Sequence, residues 1–435
     1  MTSKQGRRAF VWVWLPGATK PVVAGVLTQS ENNLLFNYGR SYLARAGAMP
    51  LYLPELPLQE GILPLAEGLS MPGCLRDAAP DAWGRRVIVN RLFGAKSRLS
   101  AGLDLTELDY LLESGSDRIG ALDFQVSAST YTPRNVTHAS LDELLKAAEL
   151  VELGVPLSPP LELALHHGTA IGGARPKALI EGDGCKYIAK FSSSNDIYSV
   201  VKAEFVAMRL AAMAGLNAAP VSLVRAAGKD VLLVKRFDRQ WSDAGWLRKP
   251  VVSALTILGL DEMQARYASY FDLAQIIRQR FSQPKATLKE VFGRLVFNVL
   301  CGNTDDHARN HAAFWDGQQL TLTPAYDICP QARTGQEASQ AMAIHGRDNL
   351  SRLSTCLAAV AQFHLSISEG VEIIGAQLHT MATHWKAVCD EAKLSVVDRN
   401  RLLNGAFLNP FAFTALQTEA QGLTGLADKA RSMMV

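Results

Sequence analysis

Apolar and polar residues alternate in the first half of the chain, as they do in half-buried strands. Short β-branched and aromatic runs bounded by Gly, Pro, Asn or Asp predict strands there. The predicted strands span 9–15, 22–27, 33–38, 120–126, 178–180, 186–191, 221–225 and 230–235. Predicted helices interrupt them at 87–93, 107–112, 141–153 and 199–214. This part of the chain is therefore predicted to be rich in sheet, with a turn at Pro16-Gly17 between its first two strands.

Helical periodicity dominates from about residue 250 onward. Between Thr287 and Cys301, apolar residues at i, i+3, i+4 and i+7 predict a buried helix, and Gly302 stands where such a helix ends. Other helices are predicted at 273–281, 350–360, 367–383, 384–394 and 397–403. The tail after Pro410 is weakly patterned. Strands first and helices last predict an α+β fold with two unlike lobes and an added N-terminal domain.

Length and composition indicate a globular protein of two or three domains. The chain has 435 residues, of which 48% are hydrophobic and 20% charged, and its net charge of +3 gives little support for a nucleic-acid surface. Six scattered cysteines without a CxxC pair argue against a zinc site or a disulfide framework and suit a reducing cytosol. The basic residues before the apolar run 9–15 superficially resemble a secretory leader, but the run is short and rich in β-formers. No uncharged apolar run is long enough to span a bilayer, so a cytoplasmic protein is predicted.

The polar stretch 303–310 directly follows the predicted buried helix. Asp305 is followed five residues later by Asn310, and a predicted strand, Asp-Gly turn and strand over 311–323 then lead to Asp327. Phosphoryl transfer with a bound metal uses one Asp that accepts the proton of the attacking hydroxyl, and an Asn and a second Asp that hold Mg²⁺ against the ATP phosphates. Protein kinases have the same Asp-to-Asn spacing. The alternative is a polar loop with an N-cap Asp.

Three features of the second predicted domain suit a nucleotide site, each with an ordinary alternative. Paired glycines in 172–177 would let backbone N–H groups approach a phosphate, although the loop is neither a Walker A motif nor GxGxxG and is otherwise a plain turn. Lys190 near a strand end and Glu204 in the next helix are typical of the kinase ion pair, but each is also a common surface residue. The segment 235–237 leaves the small sheet where a kinase hinge would hold adenine, and is otherwise a charged strand end.

Taken together, the motifs of this chain resemble those of the HipA family, the serine/threonine kinase toxins of bacterial type II toxin–antitoxin pairs. They are Pro80–Arg86, Gly172–Lys177, Lys190, Arg236–Arg239, Thr304–Asn310 and Tyr326–Ile328. The resemblance implies a bilobal, protein-kinase-like α+β fold. It would consist of an N-terminal α/β subdomain at 1–130, a nucleotide-binding small lobe at 131–245 and a helical catalytic lobe at 246–435.

The resemblance also implies roles for matching residues. Asp305 matches the catalytic Asp, and Asn310 and Asp327 match the metal ligands. The implied ATP contacts are Gly172, Gly173, Ala174, Arg175, Pro176, Lys177, Lys190, Lys235, Arg236, Phe237, His307, Ala308, Arg309 and Tyr326.

Two positions depart from the family's pattern. The Ser that several members autophosphorylate just before the glycine loop corresponds here to Ala170, which leaves the neighbouring Thr169 as the candidate site. Asp306 stands where the family often has Gly, and its carboxylate could perturb the metal site or simply face solvent.

The leading hypothesis is an ATP- and Mg²⁺-dependent serine/threonine protein kinase that acts as a toxin. By resemblance, its protein substrate would be a translation component such as an aminoacyl-tRNA synthetase, with growth arrest as the outcome. Its partner would be a HipB-like helix-turn-helix antitoxin, through which it would contact DNA indirectly. No membrane partner is expected. The alternatives are a small-molecule phosphotransferase of the same fold and a nucleotide-binding, non-catalytic scaffold for a DNA-binding antitoxin.

Overall fold

The chain forms two compact units. The computed structural model describes residues 7–94, 105–134, 139–166, 169, 171–193, 196–331, 333, 335 and 337–435. The first unit comprises Met1–Asn195, Val224–Val252 and Phe314–Gln318, and the second comprises Asp196–Leu223, Ser253–Ala313 and Gln319–Val435. The domain boundaries predicted near residues 130 and 245 stay predictions.

Strands and helices follow one another along the chain much as predicted. Up to residue 253 they are β1 Arg8–Val13, β2 Val22–Ser30, β3 Asn33–Tyr38, α1 Arg40–Leu43, α2 Gly73–Arg76, α3 Ala82–Phe93, α4 Glu107–Glu113, β4 Leu122–Gln125, α5 Leu141–Glu152, α6 Pro159–His166, β5 Lys177–Gly182, β6 Cys185–Phe191, α7 Val200–Met213, β7 Val221–Ala226, β8 Lys229–Lys235, β9 Arg239–Ser242, β10 Gly245–Arg248 and β11 Val251–Ser253. The remainder are α8 Ala254–Ile257, α9 Tyr270–Arg280, α10 Pro284–Cys301, β12 Ala312–Trp315, β13 Leu320–Leu322, α11 Leu353–Ala358, α12 Ile367–Glu391, α13 Val396–Gly405 and α14 Gly422–Met434. Each predicted strand coincides with a strand of the structure.

The N-terminal strands form a four-stranded sheet in the order β3-β2-β1-β4. Strand β1 pairs antiparallel with β2 on one side and β4 on the other, and its Ala9, Val11 and Val13 are almost completely buried. Gly25 of β2 is required by close packing, because a Cβ there would lie 2.2 Å from Asn37 O. The predicted strand–turn–strand at the N-terminus is confirmed.

A second four-stranded sheet has the order β5-β6-β8-β7, with the division between the units falling inside β7. Helices α3, α5 and α6 pack on it through one apolar core, to which Trp83 of α3 and Phe191 of β6 belong. The Trp83 ring is fully buried, and its Nε1 donates a hydrogen bond to Lys177 O at 2.9 Å. Helix α3 therefore supports strand β5 at its first residue, Lys177.

Two buried carboxylates and two buried arginines form an ionic network in the first unit. Asp117 accepts hydrogen bonds from Lys186 Nζ at 2.6 Å, Arg239 Nε at 2.9 Å and Arg236 Nη1 at 3.1 Å. Asp238 accepts from Arg236 Nε and Arg239 Nη1, both at 2.9 Å. Burial alone would raise the pKa of Asp117, but the charges of Arg236, Arg239 and Lys186 hold it well below its ordinary value. Because the two aspartates and two arginines are buried together, removing any one of them would leave an uncompensated buried charge and destabilise the fold.

Helix α10 lies in the second unit and directly precedes the predicted catalytic loop. Every residue from Val291 to Cys301 is buried, and α9 and α12 pack against the helix. Gly302 ends it with φ +73°, and a Cβ there would lie 2.6 Å from Ala406 O. The predicted buried helix ending at Gly302 is confirmed, and it begins three residues earlier than predicted, at Pro284.

The C-terminal helices differ from the prediction in two places. Helix α12 is one continuous helix where two were predicted, because buried Met381, Trp385 and Val388 continue its helical spacing through the expected junction. The weakly patterned tail contains α14, whose buried face carries two alanines and so gives little hydrophobic contrast in the sequence.

Earlier in the chain, helix α6 and the β9–β10 hairpin were also not predicted. Within the described residues, no helix combines the length and apolar character needed to cross a bilayer.

Replacing Asp117 with Ala should lower the free energy of unfolding by about 3 kcal/mol, because it removes the carboxylate that two buried arginines and the partly buried Lys186 share. Urea denaturation at pH 7 measures this loss. The matched variant Asp243→Ala, at an exposed position in the β9–β10 turn, should change stability by less than about 0.5 kcal/mol. Since the pKa of Asp117 is depressed by folding, its contribution should be complete above the unfolded value of about 3.9 and decline as the pH falls below it. A loss below about 1 kcal/mol would contradict this role.

Candidate active site

The end of α10 fixes where the polar loop begins. Asn303 N–H donates to Asn298 O at 2.9 Å, and Asn303 Nδ2 donates to Asn298 Oδ1 at 3.0 Å. Asn298 is 3% exposed although it lies in an apolar helix. These bonds tie the start of the loop to the last turns of α10, so the residues that follow are held by a rigid element.

Asp305 lies on the exposed side of the loop. Its backbone carbonyl accepts hydrogen bonds from His307 N–H and from Asn310 Nδ2, both at 3.0 Å. Asn310 N–H in turn donates to His307 O at 2.8 Å. The loop is thus closed on itself around the main chain of Asp305, which leaves the carboxylate directed outward.

Asp306 points in the opposite direction and is 2% exposed. It accepts a hydrogen bond from Tyr270 OH, and His311 Nε2 lies 2.9 Å from its Oδ1. The rings of Tyr270 and His311 meet edge to face at 5.6 Å. The expectation that the Asp306 carboxylate faces solvent is wrong, because the carboxylate is buried and hydrogen-bonded inside the protein. A perturbation of the metal site by its charge stays a prediction.

The pKa values of the two neighbouring carboxyls move in opposite directions. Partial desolvation raises the pKa of Asp305; His307 lowers it, while the negative charges of Asp327 and Asp306 raise it further. Burial would also raise the pKa of Asp306, but His311, with hydrogen bonds from Tyr270 and Asn298, brings it below its ordinary value. Adjacent carboxyls with opposite shifts suit different tasks, Asp305 as a proton acceptor and Asp306 as a permanent anion.

Hydrogen bonds to three different parts of the chain anchor the segment that leads to Asp327. Strands β12 and β13 form the predicted hairpin, with Thr323 N–H donating to Ala312 O at 3.0 Å. Ala325 N–H donates to Asn217 O at 2.7 Å, and Tyr326 OH donates to Arg309 O at 2.6 Å. Asp327 itself has φ +59°, a left-handed conformation that costs free energy for a residue with a side chain. The negative charge of Asp327 contributes to the raised pKa of Asp305, and the convergence of the two carboxylates on one site stays a prediction.

Asn310 and Asp327 offer oxygen ligands of the kind that Mg²⁺ prefers. Asn310 Nδ2 is committed to Asp305 O, so its Oδ1 is the atom suited to a cation. Among the residues that the structure describes, no three His, Cys, Asp or Glu side chains converge as a self-contained metal site. A Mg²⁺ held by these two residues would complete its shell with phosphate and water oxygens, which suits an ion that arrives with a nucleotide.

The glycine loop in the first unit is held by α3. Gly173 has φ +102°, and its N–H donates to Asp81 Oδ2 at 2.5 Å. Lys177 is 4% exposed, and its Nζ donates to Gly172 O. Lys177 and Lys190 are directly opposed across β5 and β6, so both side chains project from the same face of the sheet. Two lysines and a glycine turn together form a basic end of this sheet, as an anion site requires.

In the predicted hinge segment 235–237, the Arg236 side chain bonds inside the protein, and the backbone contact with adenine stays a prediction. Lys235 is exposed, and Phe237 is half-buried with its ring edge-on to Phe314 at a centroid distance of 5.8 Å. The Arg236 side chain is fully buried in ion pairs with Asp117 and Asp238, and the backbone N–H of Arg236 donates to Lys186 O at 2.8 Å. A nucleotide contact at Arg236 would therefore have to use its carbonyl oxygen.

The candidate autophosphorylation site, Thr169, is 0% exposed. Its Oγ1 accepts a hydrogen bond from Gly115 N–H at 2.9 Å. Gly84 of α3 leaves no room beside it, since a Cβ there would lie 1.9 Å from Thr169 O. Thr169 would have to leave this position to receive a phosphate, and its phosphorylation stays a prediction. Ala170 lies outside the described residues.

The remaining predicted nucleotide contacts around the catalytic loop have mixed exposure. Ala308 is buried, whereas His307 and Tyr326 are half-buried. Arg309 forms an ion pair with Glu262. Their roles, like those of Ala174, Arg175 and Pro176 in the glycine loop, stay predictions.

Two family models together match most of the chain. The HipA N-terminal domain matches residues 13–125, and the HipA-like C-terminal domain matches residues 169–391, just over half of the 435 residues. This chain belongs to the HipA family.

Curated relatives and a solved structure agree with this assignment. The serine/threonine-protein kinase toxin HipA of Shewanella oneidensis is 25% identical over 264 residues, which cover 51% of this chain and 59% of that protein. Putative kinase Y4mE of Sinorhizobium fredii is 30% identical over 131 residues, 29% of this chain and 31% of that protein. These matches span less than two thirds of the relatives.

The fold comparison extends further along the chain. A structure of the Shewanella oneidensis MR-1 toxin–antitoxin system, HipA and HipB with operator DNA, superposes with a TM-score of 0.62 and 18% identity. The match covers 97% of this chain and 96% of the HipA-family chain in that structure. The predicted α+β, protein-kinase-like fold is confirmed.

Several residues that shape this HipA-family site were not singled out in the sequence. Tyr270, Asn298 and His311 surround Asp306, and Asp81 contacts the glycine loop. Asn298 carried a usable signal, because a polar residue in the middle of an apolar helical face needs a buried partner. Tyr270 and His311 gave none, because no local pattern shows that their side chains meet Asp306, and Asp81 lay in the motif Pro80–Arg86 without a role assigned to it.

Replacing Asp306 with Ala should lower the free energy of unfolding by about 3 kcal/mol, because the buried donors of Tyr270, His311 and Asn298 lose their acceptor. Asp306→Asn, which keeps the volume and one acceptor oxygen, should lose about half as much. Chemical denaturation measures both. Glu372→Ala, at an exposed position of α12, serves as the control. Equal stability of wild type and Asp306→Ala would show that the carboxylate is not buried as described.

Proposed function

We propose that this HipA-family chain is an ATP- and Mg²⁺-dependent serine/threonine protein kinase. The observation that carries the proposal is the Asp305 carboxylate, which is exposed, has a raised pKa and interacts electrostatically with Asp327. An outward-facing base next to a second carboxylate is what transfer of a phosphoryl group to an alcohol needs. A raised pKa and the influence of a second carboxylate are not expected of a surface loop whose Asp is merely solvated.

In the proposed reaction, Asp305 orients a Ser or Thr hydroxyl and accepts its proton as the oxygen bonds to the γ-phosphorus and the bond to ADP breaks. Asn310 and Asp327 would hold Mg²⁺, which offsets the charge that develops on the phosphate oxygens. Lys190 and the loop Gly172–Lys177 are proposed to contact the phosphates, and 235–237 the adenine. Catalysis would come mainly from positioning and electrostatics, since phosphoryl transfer asks for little covalent chemistry from the protein.

The biological role is proposed from the family. The relative from Shewanella oneidensis is a kinase toxin, and the matched structure contains HipA, HipB and operator DNA. By analogy, this chain would act in the cytoplasm, bind a HipB-like helix-turn-helix antitoxin and meet DNA through that partner. Its protein substrate would be a translation component such as an aminoacyl-tRNA synthetase, whose phosphorylation would arrest growth.

Asp305→Asn should reduce phosphate transfer from γ-labelled ATP to protein by at least about a hundredfold, because the base is lost while the volume is kept. ATP affinity should change by less than about threefold, since Asp305 acts on the attacking hydroxyl. Asp243→Asn is the control. Full activity of Asp305→Asn would end the kinase assignment, and ATP binding without any turnover by the wild type would favour the non-catalytic scaffold.

The acid limb of kcat/KM should lie above about pH 3.9, the ordinary value for Asp, because burial and Asp327 raise the pKa of Asp305. Activity should be lost as the pH falls through this limb, since the protonated carboxyl cannot accept the hydroxyl proton. His307→Ala removes the group that lowers the pKa of Asp305, so it should move the limb to higher pH. A limb that stays in place or moves down in this variant would contradict the assignment of Asp305 as base.

The acceptor is best identified by phosphoproteomics after expression, with Asp327→Ala as the inactive control. Phosphosites that depend on Asp327 and fall on a translation protein would support the toxin proposal. Asp327-dependent consumption of ATP in a protein-free metabolite extract would favour a small-molecule acceptor instead. Co-expression of a HipB-like antitoxin should restore growth if the toxin role is correct.

A further inference from the structure

Asp81 begins α3 but does not act as an ordinary helix cap. An Asp at the N-cap position normally accepts a hydrogen bond from an N–H group of the first turn. Within this described helix, the Asp81 side chain makes no such bond. Its Oδ2 accepts instead from Gly173 N–H at 2.5 Å, across 92 residues of sequence. The carboxylate is thus diverted from its own helix to the glycine loop.

The glycine loop provides a hydrogen-bond acceptor for the first turn of α3 in place of the Asp81 side chain. Gly173 O accepts a hydrogen bond from Trp83 N–H at 3.3 Å, so a loop carbonyl satisfies a first-turn donor of α3. Trp83 Nε1 also donates to Lys177 O at 2.9 Å from a fully buried ring. Gly172 is pressed against the same carboxylate, because a Cβ there would lie 2.8 Å from Asp81 Oδ2. The loop is therefore docked on α3 at both ends of the segment 172–177.

In the docked loop, two hydrogen-bond donors that could bind a phosphate are bonded instead to acceptors of the protein itself. Gly173 N–H is held by a carboxylate, and Lys177 Nζ donates to Gly172 O. A carboxylate and a phosphate are both anions, so they compete for the same amide and repel each other at close range. The positive end of the α3 dipole favours an anion at the position of Asp81 even without a ligand.

We propose that Asp81 is a positioning residue that holds the glycine loop in the docked state and competes with nucleotide phosphate for Gly173 N–H. This rests on the proposed nucleotide-binding role of the loop. Removal of the carboxylate would free the amide and remove a negative charge beside the phosphates. The N-terminal helix α3 would then set the ATP affinity of the kinase through one contact.

The test compares the wild type with Asp81→Asn and Asp81→Ala in the full chain. Both variants should accelerate hydrogen–deuterium exchange in 171–177, and Asp81→Ala should lower the KM for ATP by about tenfold. Asp81→Asn keeps a neutral acceptor and should fall between wild type and Asp81→Ala. The value of kcat should change less than KM, because Asp81 acts on the loop and does not contact the reacting atoms.

The control variant is Ala82→Gly, which weakens the exposed first position of α3 without removing the carboxylate. It should leave the KM for ATP unchanged, so a fall in KM limited to the Asp81 variants separates loss of the anion from fraying of the helix. An unchanged or raised KM in Asp81→Ala would overturn the competition, and unchanged exchange in 171–177 would overturn the docking. If the wild type binds no ATP, the proposed function fails, while the exchange experiment still decides whether Asp81 holds the loop.

Discussion

The burial of one carboxylate, that of Asp306, determines how the polar loop after α10 is arranged. An ionised carboxyl inside a protein must be paired or hydrogen-bonded, because the free-energy cost of leaving it alone is several kcal/mol. Tyr270, Asn298 and His311 provide that environment, and they come from α9, α10 and the start of the hairpin. With Asp306 fixed below the loop, its neighbour Asp305 is exposed. The burial of the Asp306 side chain therefore leaves the Asp305 side chain facing solvent.

The first unit depends on the same rule in a different form. Asp117 and Asp238 are buried with Arg236 and Arg239, and Trp83 of α3 is part of the apolar core of the sheet β5-β6-β8-β7. Motifs that resemble the family's therefore serve different ends. In the segment Arg236–Arg239, the side chains of Arg236, Asp238 and Arg239 form internal ion pairs. In 80–86, Asp81 and Trp83 contact the glycine loop. A motif that identifies a family does not by itself reveal which of its side chains reach a ligand.

Local patterns predicted the elements that present the candidate site, because their signals lie within a few residues. Helix α10 with its stop at Gly302, the hairpin over 311–323 and the strands β5 and β6 all appear where the periodicity and turn residues placed them. The tail helix α14 escaped because alanines on its buried face give little contrast. The direction of the Asp306 side chain could not be predicted, since it depends on Tyr270, which lies 36 residues away, and on how the packed chain turns the His311 ring toward the carboxylate.

The sequence alone determined the chemical inventory: an Asp and an Asn five residues apart, a second Asp after a hairpin, a glycine loop and a strand lysine. It also determined the α+β character, because secondary-structure periodicity is local. Only the tertiary structure decided that Asp305 faces out while Asp306 is buried, that Arg236 is an internal ion-pair partner and that Asp81 bonds to Gly173. Those outcomes depend on which distant side chains share a desolvated environment, and desolvation is a property of the packed chain.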